Sequence, residues 1–317
     1  MKAFFFKFFH RKNPSDELEN FKLKFPGLYD CASDVSQKAQ DKYLNLIRVE
    51  YFFLFITAIT ALMKFEVIYF VWTFVLVCAL LFSQLYRHFI KPEQTWYRAR
   101  ALAESVKTIT WRYVMGSSPF NDKSIKNDEK ISTQEFLNRL EEIKEVNDFA
   151  SIAPIAETDL VHNSAITDSM KAIRLYTLEE KKEFYLKYRI QDQKLWYAKK
   201  ASFNKKANRN WMITIVGLIV LYLISMILIA SKYILSTDWY SNVEPILVLI
   251  TALIGWVQIK KHGELASSYI LTAHEIQKLA EELSLLGDDP DEFERFVDSA
   301  EQAFSREHTQ WVARKKF

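Results

Sequence analysis

The stretch that decides the fold is WMITIVGLIVLYLISMILIA, residues 211–230, which carries no charged side chain. A membrane-spanning helix needs about 20 predominantly apolar residues, so this segment predicts one crossing of a lipid bilayer. A second segment, VIYFVWTFVLVCALLFSQLY at residues 67–86, meets the same requirement if Ser83 and Gln84 are tolerated near its end. The mean hydropathy of the whole chain, −0.09, conceals both segments because the rest of the sequence is highly charged.

Two shorter apolar runs accompany these spans. Tyr51–Met63 and Ile246–Val257 are too short to cross a bilayer alone. Each reaches spanning length with its apolar flanks, from Val49 onward and from Val243 to Ile259. We therefore predict four spans arranged as two hairpins, in preference to four buried helices of a soluble protein.

The composition restricts the rest of the chain to helices. The 6 glycines and 7 prolines amount to about 4% of the 317 residues, where about 12% is usual. Gly-rich nucleotide-binding folds, β-sandwiches and barrels need more tight turns than this allows. The predicted fold class is an all-α membrane protein, in which two transmembrane hairpins join long cytoplasmic helices that form a bundle.

No motif of an enzyme is visible. The 2 cysteines and 6 histidines fall in no CxxC or HExxH spacing, and the sequence holds no P-loop, GxGxxG or GxSxG. The net charge of +3 excludes a generally basic nucleic-acid binder. We expect no catalytic residue, no cofactor, no metal site and no nucleic-acid partner.

Lysine and arginine predict the orientation. The hairpin tips carry one lysine each, Lys64 and Lys232, whereas the opposite ends are crowded with basic residues, as in Lys194–Arg209 before the third span and Lys260 and Lys261 after the fourth. Cytoplasmic loops carry an excess of Lys and Arg. Both termini and the long middle segment are therefore expected in the cytoplasm, with the tips facing outward.

The architecture repeats. We divide the chain into an N-terminal basic and aromatic arm (1–32), a first two-transmembrane module (33–150), a linker (151–169) and a second two-transmembrane module with a stalk and C-terminal helix (170–317). Each module contains a polar helix, a hairpin, a cytoplasmic helix, a glycine, a loop and an amphipathic helix. The same unit is thus predicted twice.

Local signals place several helix ends. Gly116 and Gly287 are predicted to end matching cytoplasmic helices in the left-handed conformation. Pro92 is predicted to start a helix, with a bend where the second span leaves the membrane. The stretches Ser132–Glu135 and Thr177–Glu180 have the pattern of capping boxes.

Three helices follow from these signals. A polar helix over Ser33–Arg48 is expected to precede the first span. Residues Leu178–Ala230 contain no proline and only one glycine, which predicts a continuous helix of about 80 Å that stands into the cytoplasm as a stalk. A third helix, Thr133–Phe149, is amphipathic, and its apolar face consists of Phe136, Leu140, Ile143 and Val146.

Weakly polar residues recur on one face of each span. They are compatible with close helix packing through hydroxyl hydrogen bonds or with the lining of a water-filled path between subunits. These candidate pore-lining or helix-packing residues are Thr57, Thr60, Thr73, Gln84, Thr214, Ser225, Thr251, Gly255 and Gln258. Four apolar spans in one chain are too few for a permanent channel, so a pore would have to form between subunits.

Aromatic and charged residues mark a candidate cytoplasmic interface. Its members lie on helices next to the membrane and could pack or pair between helices. They are Trp96, Arg98, Arg100, Glu104, Arg112, Trp196 and Tyr197. The stretch Gly263–Phe317 has 12 acidic against 6 basic residues, which suggests docking on the basic stretch Lys199–Arg209.

Three stretches carry a resemblance to a known family. WYRARALAESVKTITWRYVMG (residues 96–116) after a short hairpin resembles the SLATT domains, the SMODS- and SLOG-associating two-transmembrane effectors. YLKYRIQDQKLWYAKKASFNKKA (185–207) and EQAFSREHTQWVARK (301–315) resemble a second SLATT subtype. The resemblance covers the chain from about Ser33 and supplies no catalytic residues.

The resemblance implies an effector of bacterial anti-phage defence in the inner (cytoplasmic) membrane. Such effectors are expected to oligomerise on a signal and to form a pore or disrupt the membrane, so that the infected cell is arrested or killed. The implied partners are the lipid bilayer, further copies of the chain, and a separate sensor protein or a nucleotide second messenger. Two alternatives remain open: a non-conducting scaffold that recruits a cytoplasmic partner, and an enzyme at the membrane surface.

Overall fold

The computed structural model describes residues 22–60, 67–126, 128–149, 164–230 and 243–313, with the side chains of residues 123 and 306–313 left out. Every regular element in these ranges is helical. In chain order they are α1 (Gly27–Thr60), α2 (Val67–Ile90), α3 (Pro92–Met115), α4 (Lys123–Lys126), α5 (Glu129–Val146), α6 (Asp168–Arg174), α7 (Leu178–Tyr185), a π-helical segment (Leu186–Gln191), α8 (Asp192–Ala230), α9 (Glu244–Lys260), α10 (His262–Leu285) and α11 (Pro290–Ala313).

Four of the described helices are long and apolar enough to cross a membrane. They contain the second, third and fourth predicted apolar runs in full and the described part of the first, up to Thr60, and the chain is a multi-pass all-α membrane protein. Large apolar side chains on the second and third spans point outward, as Phe70 and Ile227 do at 73% and 66% exposure. A surface of this kind is stable against lipid. The arm before residue 22 and the tips with Lys64 and Lys232 lie outside the described residues.

The second and fourth spans each end at a single residue in the left-handed conformation, where the chain bends. Lys91 joins α2 to α3 with φ 47°, and Lys261 joins α9 to α10 with φ 50°. Both residues adopt the left-handed conformation, which non-glycine residues visit rarely. Pro92 follows the first kink at the start of α3, so the predicted bend is confirmed. The two kinks are a structural repeat that the sequence pattern did not reveal.

The two predicted glycine caps differ in outcome. Gly116 ends α3 in the left-handed conformation, and its N–H donates to the carbonyls of Arg112 and Tyr113, as predicted. The prediction for Gly287 was wrong. Helix α10 ends at Leu285, and the chain continues through Leu286 in extended backbone. No left-handed residue is needed there.

Two other helix starts lie earlier than predicted. Helix α5 begins at Glu129, because the carboxylate of Asp128 accepts from the N–H groups of Lys130 and Ile131. The predicted capping box at Ser132–Glu135 is therefore wrong, and Ser132 lies inside the first turns of the helix. Helix α1 begins at Gly27, before the predicted start at Ser33.

The stalk is continuous across α7, the π-helical segment and α8, as predicted. Its capping box is also confirmed: Thr177 accepts from the N–H of Glu180, and the Glu180 carboxylate accepts from the N–H of Thr177. The π-helical segment between residues 186 and 191 was not predicted. Segments of this kind are often found at functional positions.

The helices outside the spans pack into one apolar core. Helix α3 contributes much of it, through Leu102, Val106 and Val114, each fully buried. Phe136 of α5 and Phe293 of α11 are buried against the same cluster. Both modules therefore share a single core beyond the spans, and this core positions the bases of the two hairpins relative to each other.

Candidate functional site

The two modules meet at an aromatic cluster next to the membrane, which we call the collar. Its buried members are Ala39, Tyr43, Leu44, Ile47 and Trp96, and its partly buried members are Tyr51, Tyr97, Trp256 and Ile259. Trp96 stacks on Tyr97 with ring centroids 4.8 Å apart. Trp256 and Ile259 come from the fourth span, so the collar fixes one hairpin against the other.

Within the first hairpin the structure brings two predicted residues together. The hydroxyl of Thr73 lies 3.2 Å from the hydroxyl of Thr60 on the opposite span. Thr60 also donates to the carbonyl of Thr57, and Thr57 donates to that of Phe53. These threonines form a polar contact between the two spans of the hairpin.

Gln84 belongs to a polar cluster at the base of the same hairpin, centred on Glu50. The Glu50 carboxylate is 5% exposed and accepts from Gln84 Nε2 at 3.0 Å and from Arg87 Nε at 3.0 Å. The Ser83 hydroxyl adds a longer contact of 3.4 Å. Sequence reasoning missed Glu50, although an acidic residue at the start of an apolar run opposite an arginine was a usable signal.

The predicted residues of the second hairpin are differently placed. The hydroxyls of Thr214, Ser225 and Thr251 each donate to a carbonyl four residues earlier in their own helix. Thr214, Thr251 and Gln258 are exposed. Within one subunit these side chains face away from the packed interior, toward lipid or a neighbouring molecule.

Gly255 lies where the fourth span contacts Tyr51 of the first hairpin. A Cβ atom at this position would collide with the hydroxyl group of Tyr51. Gly217, on the third span, has open space around it. Small residues at helix interfaces let backbones approach closely. We infer that Gly255 serves the packing between hairpins and that Gly217 does not.

This difference gives a prediction with a built-in control. Gly255→Leu is expected to destabilise the protein by about 1–3 kcal/mol, because the larger side chain must displace Tyr51 from the collar. Gly217→Leu is expected to have little effect. Thermal denaturation of both variants in nanodiscs measures the difference, and equal melting temperatures would contradict the inferred packing role.

The predicted charged residues pair in two different ways. Arg98 lies 2.7 Å from Asp148, and Arg112 lies 3.0 Å from Asp298 of α11, so both arginines pair with acids on other parts of the chain. Glu104 is 4.0 Å from Lys107 on its own helix.

The second aromatic pair also lies on the seam between modules. Trp196 and Tyr197 have ring centroids 4.9 Å apart, and Tyr269 of α10 lies 5.7 Å and 5.5 Å from them. Arg100 and Trp96 of α3 line the same cavity as Trp196. The structure thus brings most of the candidate cytoplasmic residues to one seam, next to the collar.

A fully buried ion pair was not predicted. Arg189, in the π-helical segment, and Glu301, in α11, are 2% and 0% exposed, and Arg189 Nη2 lies 2.6 Å from a Glu301 carboxylate oxygen. The Arg189 Nε atom donates to the other oxygen at 2.7 Å, and the Tyr185 hydroxyl donates to it at 2.9 Å. Both residues lie in stretches that carry the family resemblance, which was the available signal.

Burial and charge shift the pKa values of this cluster in opposite ways. Burial alone would lower the pKa of the Arg189 guanidinium, but Glu301 beside it holds the pKa above its usual value. Burial raises the pKa of the Tyr185 hydroxyl, and the negative charge of Glu301 raises it further. The guanidinium therefore stays charged and the phenol stays neutral across physiological pH.

Docking of the acidic stretch Gly263–Phe317 on the basic stretch Lys199–Arg209, within a subunit or between subunits, stays a prediction. Within the chain, α10 of this stretch packs along the stalk helix α8. The described acidic side chains of the terminal helix α11 pair with Arg189, Arg112 and Lys126, the last at 2.5 Å from Glu294. Buried and half-buried partners fix its position more specifically than a solvated basic surface could.

Among the described residues, no three His, Cys, Asp or Glu side chains lie close enough together to hold a metal ion. The expectation that the chain has no cofactor and is not an enzyme stays a prediction.

Comparison with protein families gives two matches. Residues 26–182 match the family described as SMODS and SLOG-associating 2TM effector domain 3, and residues 185–311 match SMODS and SLOG-associating 2TM effector domain 1. No curated protein and no solved structure matches the chain. Together the two matches cover nearly the whole described part of the molecule.

Proposed function

Because the chain belongs to the SLATT family and carries two of its two-transmembrane effector domains in tandem, we propose that it is an effector of anti-phage defence in the bacterial inner membrane. On activation it oligomerises and forms a pore or disrupts the membrane, which arrests or kills the infected cell. Both termini lie in the cytoplasm, where the bundle receives the signal from a sensor protein or a nucleotide second messenger.

The exposure of the third span carries this proposal. Of its described side chains between Trp211 and Ala230, Ile215 is the buried one. The surface left uncovered includes the hydroxyl-bearing Thr214, and the fourth span exposes Thr251 and Gln258. Polar side chains on the outer surface of a span favour contact with another subunit or with water over contact with lipid tails.

In this proposal the cytoplasmic bundle keeps the two hairpins in their resting arrangement. The collar holds the fourth span against the first hairpin, and the Arg189–Glu301 pair holds the terminal helix on the stalk. Activation changes how subunits pack and brings the exposed polar residues of neighbouring copies around a shared lumen. No step of this proposal needs a catalytic residue.

Induced expression in bacteria with a membrane-potential dye tests the proposal. Active wild-type protein is expected to depolarise cells. Removing a lumen hydroxyl costs about 1–3 kcal/mol, so Thr251→Leu is expected to lower depolarisation about fivefold or more. Ile254→Leu, on the same helix and also exposed, is the matched control and should behave as wild type. Growth arrest with an intact membrane potential would contradict the pore.

One observation favours the alternative of a non-conducting scaffold. Leu175 and Leu285, on the cytoplasmic helices, are 86% and 84% exposed. Exposed apolar side chains away from the membrane suit contact with a cytoplasmic partner. Loss of protection in Leu175→Ser and Leu285→Ser variants, with an unchanged membrane potential in active wild-type cells, would favour this alternative.

A further inference from the structure

A cavity of about 300 Å³ opens where the fourth span leaves the membrane. Its walls come from both modules: α1 and α3 on one side, and the stalk helix α8 with the junction of α9 and α10 on the other. The left-handed Lys261 lies in its wall. The cavity is therefore part of the seam that joins the two modules, at the height of the lipid headgroups.

Positive charge dominates the lining. Four cations line the cavity, Arg100, Lys200, Lys260 and Lys261, against a single carboxylate, that of Glu264. Glu264 already lies 3.4 Å from Lys261 Nζ. Like charges gathered in one cavity repel each other unless an anion joins them.

The cations are held in place by aromatic rings. Lys200 Nζ lies 5.6 Å from the ring centroid of Trp196. Lys260 and Arg48 share the ring of Trp256, each 5.2 Å from its centroid. Cation–π contacts orient these groups without neutralising their charge.

Helix α10 adds hydrogen-bond donors to the cavity wall. It begins at His262, directly after the end of α9, and no side chain caps its first turn, so its first N–H groups have no side-chain acceptor. His262 Nδ1 lies 2.7 Å from the buried Asn204 Oδ1. Burial lowers the pKa of His262, and the nearby charge of Lys260 lowers it further, so the ring is neutral at pH 7.

The positive charge is confined to the membrane side. A second cavity, of about 550 Å³, adjoins the first and shares Arg100 with it. Its lining includes three carboxylates, those of Asp41, Glu104 and Asp192. An anion is therefore expected in the first cavity and not in the second.

We propose that the cavity between the modules binds a phosphate group, through Arg100, Lys200, Lys260 and Lys261 and the N-terminus of α10. Phosphate is the anion that clustered Lys and Arg and a helix N-terminus recognise together. The group belongs either to an anionic lipid headgroup, which the height of the cavity allows, or to a soluble phosphate compound from the cytoplasm. In either case the bound phosphate group would join the two modules across their seam.

The test uses the purified full-length protein in nanodiscs of neutral phosphatidylcholine. Inorganic pyrophosphate is titrated at constant ionic strength while the melting temperature and tryptophan fluorescence are followed. A second set of nanodiscs contains phosphatidylglycerol and no pyrophosphate. The variant is Lys200→Gln/Lys260→Gln, and Lys199→Gln/Lys205→Gln, on exposed positions of the same helix, is the control.

A soluble ligand is indicated if pyrophosphate stabilises the wild type and the control variant. The cavity variant is then expected to bind pyrophosphate at least about tenfold more weakly. A lipid headgroup is indicated if phosphatidylglycerol alone stabilises wild type and control and not the cavity variant. Without ligand, the cavity variant should melt at or above the wild-type temperature, because repulsion is removed. Equal shifts in both variants, or no shift in either arm, would overturn the proposal.

Binding by purified protein needs neither conduction nor oligomerisation. A negative result here would leave the proposed effector function standing, and an intact membrane potential in cells would leave the phosphate site standing. If the double variant fails to fold, Lys200→Gln alone removes one exposed cation of the cavity and keeps the comparison with Lys199→Gln.

Discussion

Glu301→Ala is expected to lower the free energy of unfolding by about 3–5 kcal/mol. The change leaves the Arg189 guanidinium charged and fully buried with no carboxylate beside it. It also removes the acceptor of the Tyr185 hydroxyl. The terminal helix should then detach from the stalk before the rest of the bundle unfolds.

Denaturant unfolding in detergent, with limited proteolysis of the terminal helix, measures this effect. Arg98→Gln is the control, because Arg98 and Asp148 are both exposed and such pairs contribute about 0–1 kcal/mol. The double variant Arg189→Met/Glu301→Leu should recover most of the loss, since it removes both charges together. A Glu301→Ala protein as stable as wild type would show that the pair is not the docking contact.

Phe136→Ala is expected to cost about 3–5 kcal/mol, the usual range for removing a buried phenylalanine. The Phe136 ring is fully buried and lies 4.8 Å from the ring of Tyr113 and 6.1 Å from that of Phe120, so its loss leaves a cavity beside two aromatic rings. Val146→Ala is the matched control, because Val146 occupies the same predicted face of α5 but is 85% exposed. Equal destabilisation by both changes would contradict the observed packing.

Features that depend on a single local residue were predictable. Pro92 and Gly116 bound α3 as expected, because proline fixes φ at a helix start and glycine accepts positive φ at a helix end. Thr177 and Glu180 form their capping box as predicted, because its two hydrogen bonds join residues only three positions apart. The apolar spans followed from length and hydropathy alone.

Features imposed by tertiary packing were not predictable. Pro92 marked the bend after the second span, but lysine has no preference for the left-handed conformation, so nothing in the sequence marked the kink at Lys261. Val146 fits the helical period, but α5 ends at this residue and its last turn extends past the surface on which Phe136 packs. Periodicity predicts the direction of a side chain and not whether a partner lies there.

The candidate site was predictable in its residue types and not in its pairings. The WY pairs and Arg100 were recognised from the sequence, and they do lie at the seam between modules, whereas Arg98 and Arg112 pair with acids elsewhere. Arg189 and Glu301 are separated by 112 positions in the chain, and no local pattern connects them. The Glu50 cluster escaped notice because its members lie on both sides of the first hairpin.

Because of the kinks at Lys91 and Lys261, the two spans of each module are connected to the helix bundle in different ways. The first span of each module is the direct continuation of a helix of the bundle, α1 in the first module and the stalk in the second, so a rotation of the bundle would be transmitted to it along one helix axis. The second span of each module is connected through a kinked residue. A rotation of the bundle would therefore turn the first and third spans against the second and fourth.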